Sequence, residues 1–146
     1  MDDQYFMKLA LVEAQKAFDE EEIPIGAVVV WGNKVISRAH NQTEKLNDPT
    51  AHAEMLALTS AFNYLGAKYL MDATLFVTVE PCLMCCGALN WSKVGRIVYG
   101  VSDEKNGCFS HLKEGKGFHP KTKLEHGILE AECKLLMQTF FKKLRK

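Results

Sequence analysis

His52-Ala53-Glu54 and Pro81-Cys82-Leu83-Met84-Cys85 each fall where a helix is expected to open, with a short β-rich run, Ala73 to Val79, between them. Residues three apart on a helix share a face, so Cys82 and Cys85 can present both sulfurs to a single ion. Pro81 suits a first helical turn. Helical side chains lean toward the amino end, where free amides and the positive end of the dipole favour thiolates. His52 then supplies a third ligand through a neutral ring nitrogen and leaves one place of a zinc tetrahedron for water. Three ligands point to catalysis rather than scaffolding, because zinc brings the pKa of a bound water from 15.7 to about 7. Glu54 reaches the same place only from a helix end, where a carboxylate can move protons.

The rest of the chain supplies a frame for two such tips. Phe6, Leu9, Ala10, Ala14, Ala17 and Phe18 recur at helical spacing, and Asp19 to Glu22 with Pro24 end that helix. Ile25 to Trp31, the Gly32-Asn33 turn and Lys34 to Ala39 read as a β-hairpin. Asp48-Pro49 offers an N-cap and first-turn proline for a second helix with Met55, Leu58, Phe62 and Leu65 on its apolar stripe, closed by Gly66. The run 73–79, the cysteine helix and a strand between Gly95 and Gly100 follow, so strands alternate with helices and the later strands should pair in parallel. Residues 101–121 read as a long loop with room for a short helix, and Leu129, Cys133, Leu136, Phe140 and Leu144 mark a last amphipathic helix. The expectation is one domain, 1–146, of α/β sandwich class.

Cysteine usage and charge limit the setting. Five cysteines are an odd number and three crowd into Cys82, Cys85 and Cys86, which suits a metal and a reducing compartment better than a disulfide framework. No apolar run approaches the ~20 residues that span a membrane, and Met1-Asp2-Asp3-Gln4 has no basic start of a secretory signal, so the expected location is the cytoplasm. Lys plus Arg equal Asp plus Glu at 18 each, yet residues 111–146 hold nine basic against four acidic side chains. That basic end could meet phosphates, although a solvated helix face with a favourable dipole accounts for the same charges.

Other readings of the cysteines stay open. A Cys-x-x-Cys pair can be a redox dithiol, though such pairs usually lack an upstream His-x-Glu. Cys86, four residues from Cys82, could close a structural zinc site or replace Cys85. Cys108 reads as a loop thiol and Cys133 as a packed one.

His-x-Glu followed by Pro-Cys-x-x-Cys resembles the signature of the cytidine deaminase superfamily. Ile23-Pro24-Ile25-Gly26-Ala27, His40-Asn41, Asp48 to Glu54, Glu80 to Cys85, Arg96 to Gly100, Asp103 to Gly107 and the Gly127 to Phe141 tail extend the likeness to its tRNA-acting adenosine deaminases. The resemblance implies a three-layer α/β/α sandwich around a mixed five-stranded sheet, a homodimer, one Zn2+ per chain, and a tRNA anticodon stem-loop as partner. It implies that His52, Cys82 and Cys85 hold the zinc, whose hydroxide attacks adenine C6 at the wobble position, with Glu54 as proton shuttle. It further implies that Asn41 and the Ala53 amide contact the flipped base, and that Asp103, Lys105, Phe141 and Arg145 lie near flanking nucleotides. Phe141 is the better stacking candidate, since Phe140 sits on the apolar stripe. Cys86, Cys108 and Phe109 depart from the small residues usual in the family and bear on the loop's conformation. Two rivals remain: a zinc deaminase of a free base such as guanine or cytosine, and a non-catalytic zinc module that binds RNA.

Overall fold

A computed structural model describes residues 1–111 and 119–145. The elements run α1 (Asp3–Asp19), β1 (Gly26–Trp31), β2 (Lys34–His40), α2 (Ala53–Leu65), β3 (Ala73–Val79), α3 (Leu83–Ser92), β4 (Arg96–Val101), α4 (Cys108–His111), β5 (Lys123–His126) and α5 (Glu130–Leu144). They build one five-stranded sheet in the order β2-β1-β3-β4-β5. β1 pairs antiparallel with β2 and β3, whereas β3, β4 and β5 are parallel. The parallel pairs need crossovers, and α3 supplies the one between β3 and β4.

Alternation along the strands assigns the two helical layers. Val28, Val30, Phe76 and Val98 share one core with Phe6, Met7 and Ala10 of α1 and Cys133 of α5. Their strand neighbours Ala27, Val29, Leu75, Val77, Ile97 and Tyr99 share the other with Ala57 and Leu58 of α2 and Leu89 of α3. Each Val, Leu, Ile, Phe or Met among them contributes roughly 1.5–3 kcal/mol when fully buried, and both sheet faces are covered, as parallel strands require. The result is the expected three-layer α/β/α sandwich with a mixed sheet. Arg96 fastens its edge: Nη1 donates to Asp3 Oδ1 at 2.9 Å and Nε to Glu125 Oε1 at 2.9 Å, joining α1 to β5.

Several boundaries differ from expectation. Asp48 does not cap α2; its Oδ1 accepts the Thr50 amide at 2.8 Å and hydroxyl at 2.7 Å, closing a tight turn. α2 begins only at Ala53, with His52 as its N-cap, while Gly66 ends it in the left-handed conformation at φ 62. Pro81 likewise precedes the N-cap Cys82 rather than occupying the first turn. α4 is the short helix for which the 101–121 loop left room, and residues 112–118 of that loop lie outside the described ones. Cys108 is buried instead of being a loop thiol, and Leu144 of the expected apolar stripe is 62% exposed. Periodicity missed β5, because all four of its residues are exposed.

Candidate active site

The tips of α2 and α3 open at the carboxyl end of β3, the end of an α/β sheet where ligands bind. His52 and Cys82 are the two N-cap residues, both extended (φ −73 and −75), and neither uses its side chain to cap its own helix. Both are therefore free to meet. Sγ of Cys82 and Sγ of Cys85 each lie 3.6 Å from His52 Nδ1. Nitrogen at ~2.05 Å and sulfur at ~2.3 Å from one zinc, in a tetrahedron, are separated by about 3.6 Å. The three donor atoms lie within 4.8 Å of one another, and no other such group of three occurs among the described residues. The soft N, S, S set suits zinc in both chemistry and spacing.

Charge is already organised for a cation. Cys82 is pulled down to about 4 by the Cys85 thiol that donates to it and by His52. Cys85 is pushed up by the adjacent Cys82 sulfur and by burial. His52 is raised, chiefly by its bond to Cys82. The Cys82 sulfur thus favours its negative form beside a thiol and an imidazole nitrogen, surroundings that suit a divalent cation. Cys86 does not join them. Its thiol donates to the Pro81 carbonyl at 3.9 Å, and burial pushes its pKa up, so it neither replaces Cys85 nor closes the site.

Glu54 is 3% exposed, and its Oε1 is a buried side-chain atom without a hydrogen-bond partner. Burial pushes its carboxyl up to about 7. Leaving a buried carboxylate oxygen unbonded is costly, and such an atom beside an N, S, S donor set is answered by a metal and the water it carries.

His52, Glu54 and Cys82 line a cleft of about 1020 Å³ together with Asp103, Lys105, Phe141 and Arg145. Asn41 and Ala53 are buried and do not line it, although the Asn41 amide bonds to the carbonyl of Ile25, which does. Phe140 is buried at 5% exposure and Phe141 is 37% exposed.

Sequence reasoning missed part of the wall. Lys134, Met137 and Gln138 of α5 face the cleft in line with Phe141 and Arg145, at the i, i+3/i+4 spacing of one helix face. Lys134 and Gln138 read as a solvated stripe and Met137 as one more apolar position, so only the helical spacing from Phe141 could have found them. Glu80 was quoted only as part of a motif, yet its buried carboxylate accepts the Asp103 amide at 2.9 Å and holds the Asp103–Gly107 loop. Asp103 in turn accepts the amides of Lys105 at 3.2 Å and Asn106 at 3.1 Å. The unusual Phe109 stacks on Tyr99 with ring centroids 5.9 Å apart, and the Cys108 amide bonds the Pro81 carbonyl at 2.8 Å. Both departures from the family pattern are thus absorbed by packing behind the loop.

Gly107 permits this closure, since a Cβ there would stand 2.3 Å from the Glu80 carboxylate and 2.4 Å from the Asp103 carbonyl. Gly107→Ala should lift the loop, speeding hydrogen exchange of the Asp103 amide by roughly tenfold or more while metal content stays unchanged. Unaltered exchange would show that the contact is not limiting.

The profile of the cytidine and deoxycytidylate deaminase zinc-binding region matches residues 1–101. A tRNA-specific adenosine deaminase of Aquifex aeolicus (strain VF5) is 45% identical, over 99% of this chain and 97% of its own. The chain belongs to the cytidine and deoxycytidylate deaminase family. Within that deaminase family, a solved structure from work on A-to-I editing by tRNA:A34 deaminases at the wobble position superposes with a TM-score of 0.83 at 40% identity, covering 90% of this chain and 98% of that one. A guanine deaminase from Bacillus subtilis superposes at 0.67 with 36% identity, over 70% of this chain and 66% of its own. The chain is a zinc-dependent deaminase, and no described helix is long and apolar enough to cross a membrane.

Proposed function

We propose that this deaminase hydrolyses adenosine to inosine, releasing ammonia, at the wobble position of a tRNA anticodon. The observation that carries the chemistry is the unpartnered, buried Glu54 Oε1 beside the His52, Cys82 and Cys85 donors. The name and coverage of the Aquifex relative support the substrate. Zinc bound by those three residues supplies the Lewis acidity that makes water a nucleophile near neutral pH. Glu54, held near pH 7 by burial, is poised to take a proton from water, pass it to the purine ring nitrogen, and help the amino group leave as ammonia. The Asn41 side chain and the Ala53 amide hold the flipped base. Asp103 and Lys105 on one wall, and Phe141 and Arg145 on the other, receive flanking nucleotides by polar contact, stacking and phosphate pairing.

The broad cleft, open enough for several nucleotides, favours an RNA loop over a small free base. A homodimer is supported by Leu83 and Trp91 on α3, 70% and 80% exposed, which flank Gly87 at intervals of one helical turn, an apolar face that a second copy would cover. Five free cysteines suit the reducing cytoplasm.

The test is to incubate the protein with an anticodon stem-loop carrying adenosine at the wobble position, and separately with guanine and cytosine. Inosine at that single position, with neither free base consumed, is expected. Deamination of guanine without inosine in RNA would select the free-base enzyme. Zinc-loaded protein inactive on every substrate would select the binding module.

A further inference from the structure

Glu22, a buried carboxylate next in sequence to the cleft residue Ile23, has no part in the chemistry above. Glu22 is 1% exposed, yet it has no cation among its hydrogen-bond partners. Its Oε2 accepts the Lys45 amide at 2.8 Å, and Oε1 accepts the Glu44 amide at 3.0 Å and the Thr43 hydroxyl at 3.4 Å. Two successive amides and a hydroxyl converging on a carboxylate form an anion cradle, turned here to hold a loop. Glu22 is itself held in place: Glu21 adopts φ 63, and the Glu22 amide returns to the Ala17 carbonyl at 2.9 Å.

The loop it holds connects two functional positions. The Leu46 amide bonds Gln42, Asp48 bonds Thr43 and Ala51 bonds Asp48, while the Gln42 amide bonds the Ala51 carbonyl at 3.0 Å. Residues 42–51 therefore form a closed hydrogen-bonded unit with Asn41 at one end and His52 at the other. Fixing the Thr43–Lys45 corner fixes how the unit sits between them.

We infer that Glu22 is a positioning residue for the substrate base, acting through the 42–51 loop to hold Asn41 behind the cleft wall that Ile25 forms. This rests on the reading of Asn41 as a base contact given above. His52 is also held by the start of α2, whereas Asn41 is held by the end of β2, by its amide bond to the Ile25 carbonyl at 3.1 Å and by this loop. Loss of the carboxylate should therefore be felt at the base before it is felt at the metal.

Glu22→Gln keeps the size of the side chain but sets an NH2 group against backbone donors. Hydrogen bonds from backbone donors to a carboxylate are stronger than those to a neutral amide, so an increase in KM for the stem-loop of roughly tenfold is expected, with kcat within about twofold and zinc content unchanged. Hydrogen exchange provides a readout that does not depend on the substrate: the Glu44 and Lys45 amides should lose protection by at least about tenfold, while α2 amides keep theirs. Thr43→Val, which removes only the hydroxyl contact, should give a smaller shift in the same direction and guards against misfolding of the first variant. Faster exchange at Glu44 and Lys45 with an unchanged KM would overturn the positioning role, as would unchanged exchange at both. Parallel loss of zinc and of global stability would also overturn it, because Glu22 would then be structural. If the wild type fails to form inosine, the reading of the substrate fails, and the exchange result still decides whether Glu22 holds the loop.

Discussion

Glu54→Gln should bind zinc as the wild type does and lose turnover by about 10²–10⁴-fold, the range for removing a positioned acid/base. The amide preserves the shape of the side chain but cannot take up a proton, and none of the distances among His52 Nδ1, Cys82 Sγ and Cys85 Sγ involves it. Replacing a buried carboxyl by a neutral amide also removes the cost of burying its charge, so the melting temperature should hold or rise. Metal analysis beside single-turnover kinetics separates the two effects. A variant that lost zinc in proportion to activity would make Glu54 a structural support for the ligands; one that kept its rate would remove it from the chemistry.

Loss of a ligand should act in the opposite order. His52→Ala, or Cys85→Ser, should reduce bound zinc from about one per chain to a small fraction, and with it all measurable deamination. Dialysis of the wild type against a chelator should do the same reversibly. Because the metal binds the folded chain, its removal should also lower the thermal midpoint, by an amount that grows with affinity. Without a cation Cys85 keeps its proton, raised by its neighbour's sulfur and by burial. Readdition of zinc should release that proton, observable as acidification of a weakly buffered solution. Activity that survived exhaustive chelation would contradict the account.

Much of this was readable from residue order because the informative elements are simple. β1 and β3 are apolar on both sheet faces, and their runs mark strands without help from tertiary context, while the Gly32-Asn33 turn marks β2. The metal cluster was legible because its three donors are fixed by two local signals, each a helix opening, and spacing alone places Cys82 and Cys85 on one side. Asp48 was read with the right chemistry at the wrong element: its side chain caps, but it caps the turn closed by Thr50, which leaves His52 as the N-cap with its ring free. β5 escaped because Lys123-Leu124-Glu125-His126 has no apolar pattern, being a strand only because β4 offers it an edge. The cleft face of α5 was hidden for a related reason. Lys134 and Gln138 resemble any solvated stripe until the 103–107 loop is placed opposite them. The loop-holding roles of Glu22 and Glu80 are likewise unmarked in sequence: one Glu in the run Asp19 to Glu22 does not show which will be buried, and the single acid Glu80 at the end of β3 does not show which loop it holds.

Anomalous diffraction at the zinc edge from crystals of the loaded protein would be decisive. The expected map has one peak per chain, bonded by His52 Nδ1, Cys82 Sγ and Cys85 Sγ, with no protein atom in the fourth place and Glu54 beside it. A peak elsewhere, or a fourth bond from Cys86 or any other side chain, would contradict the account.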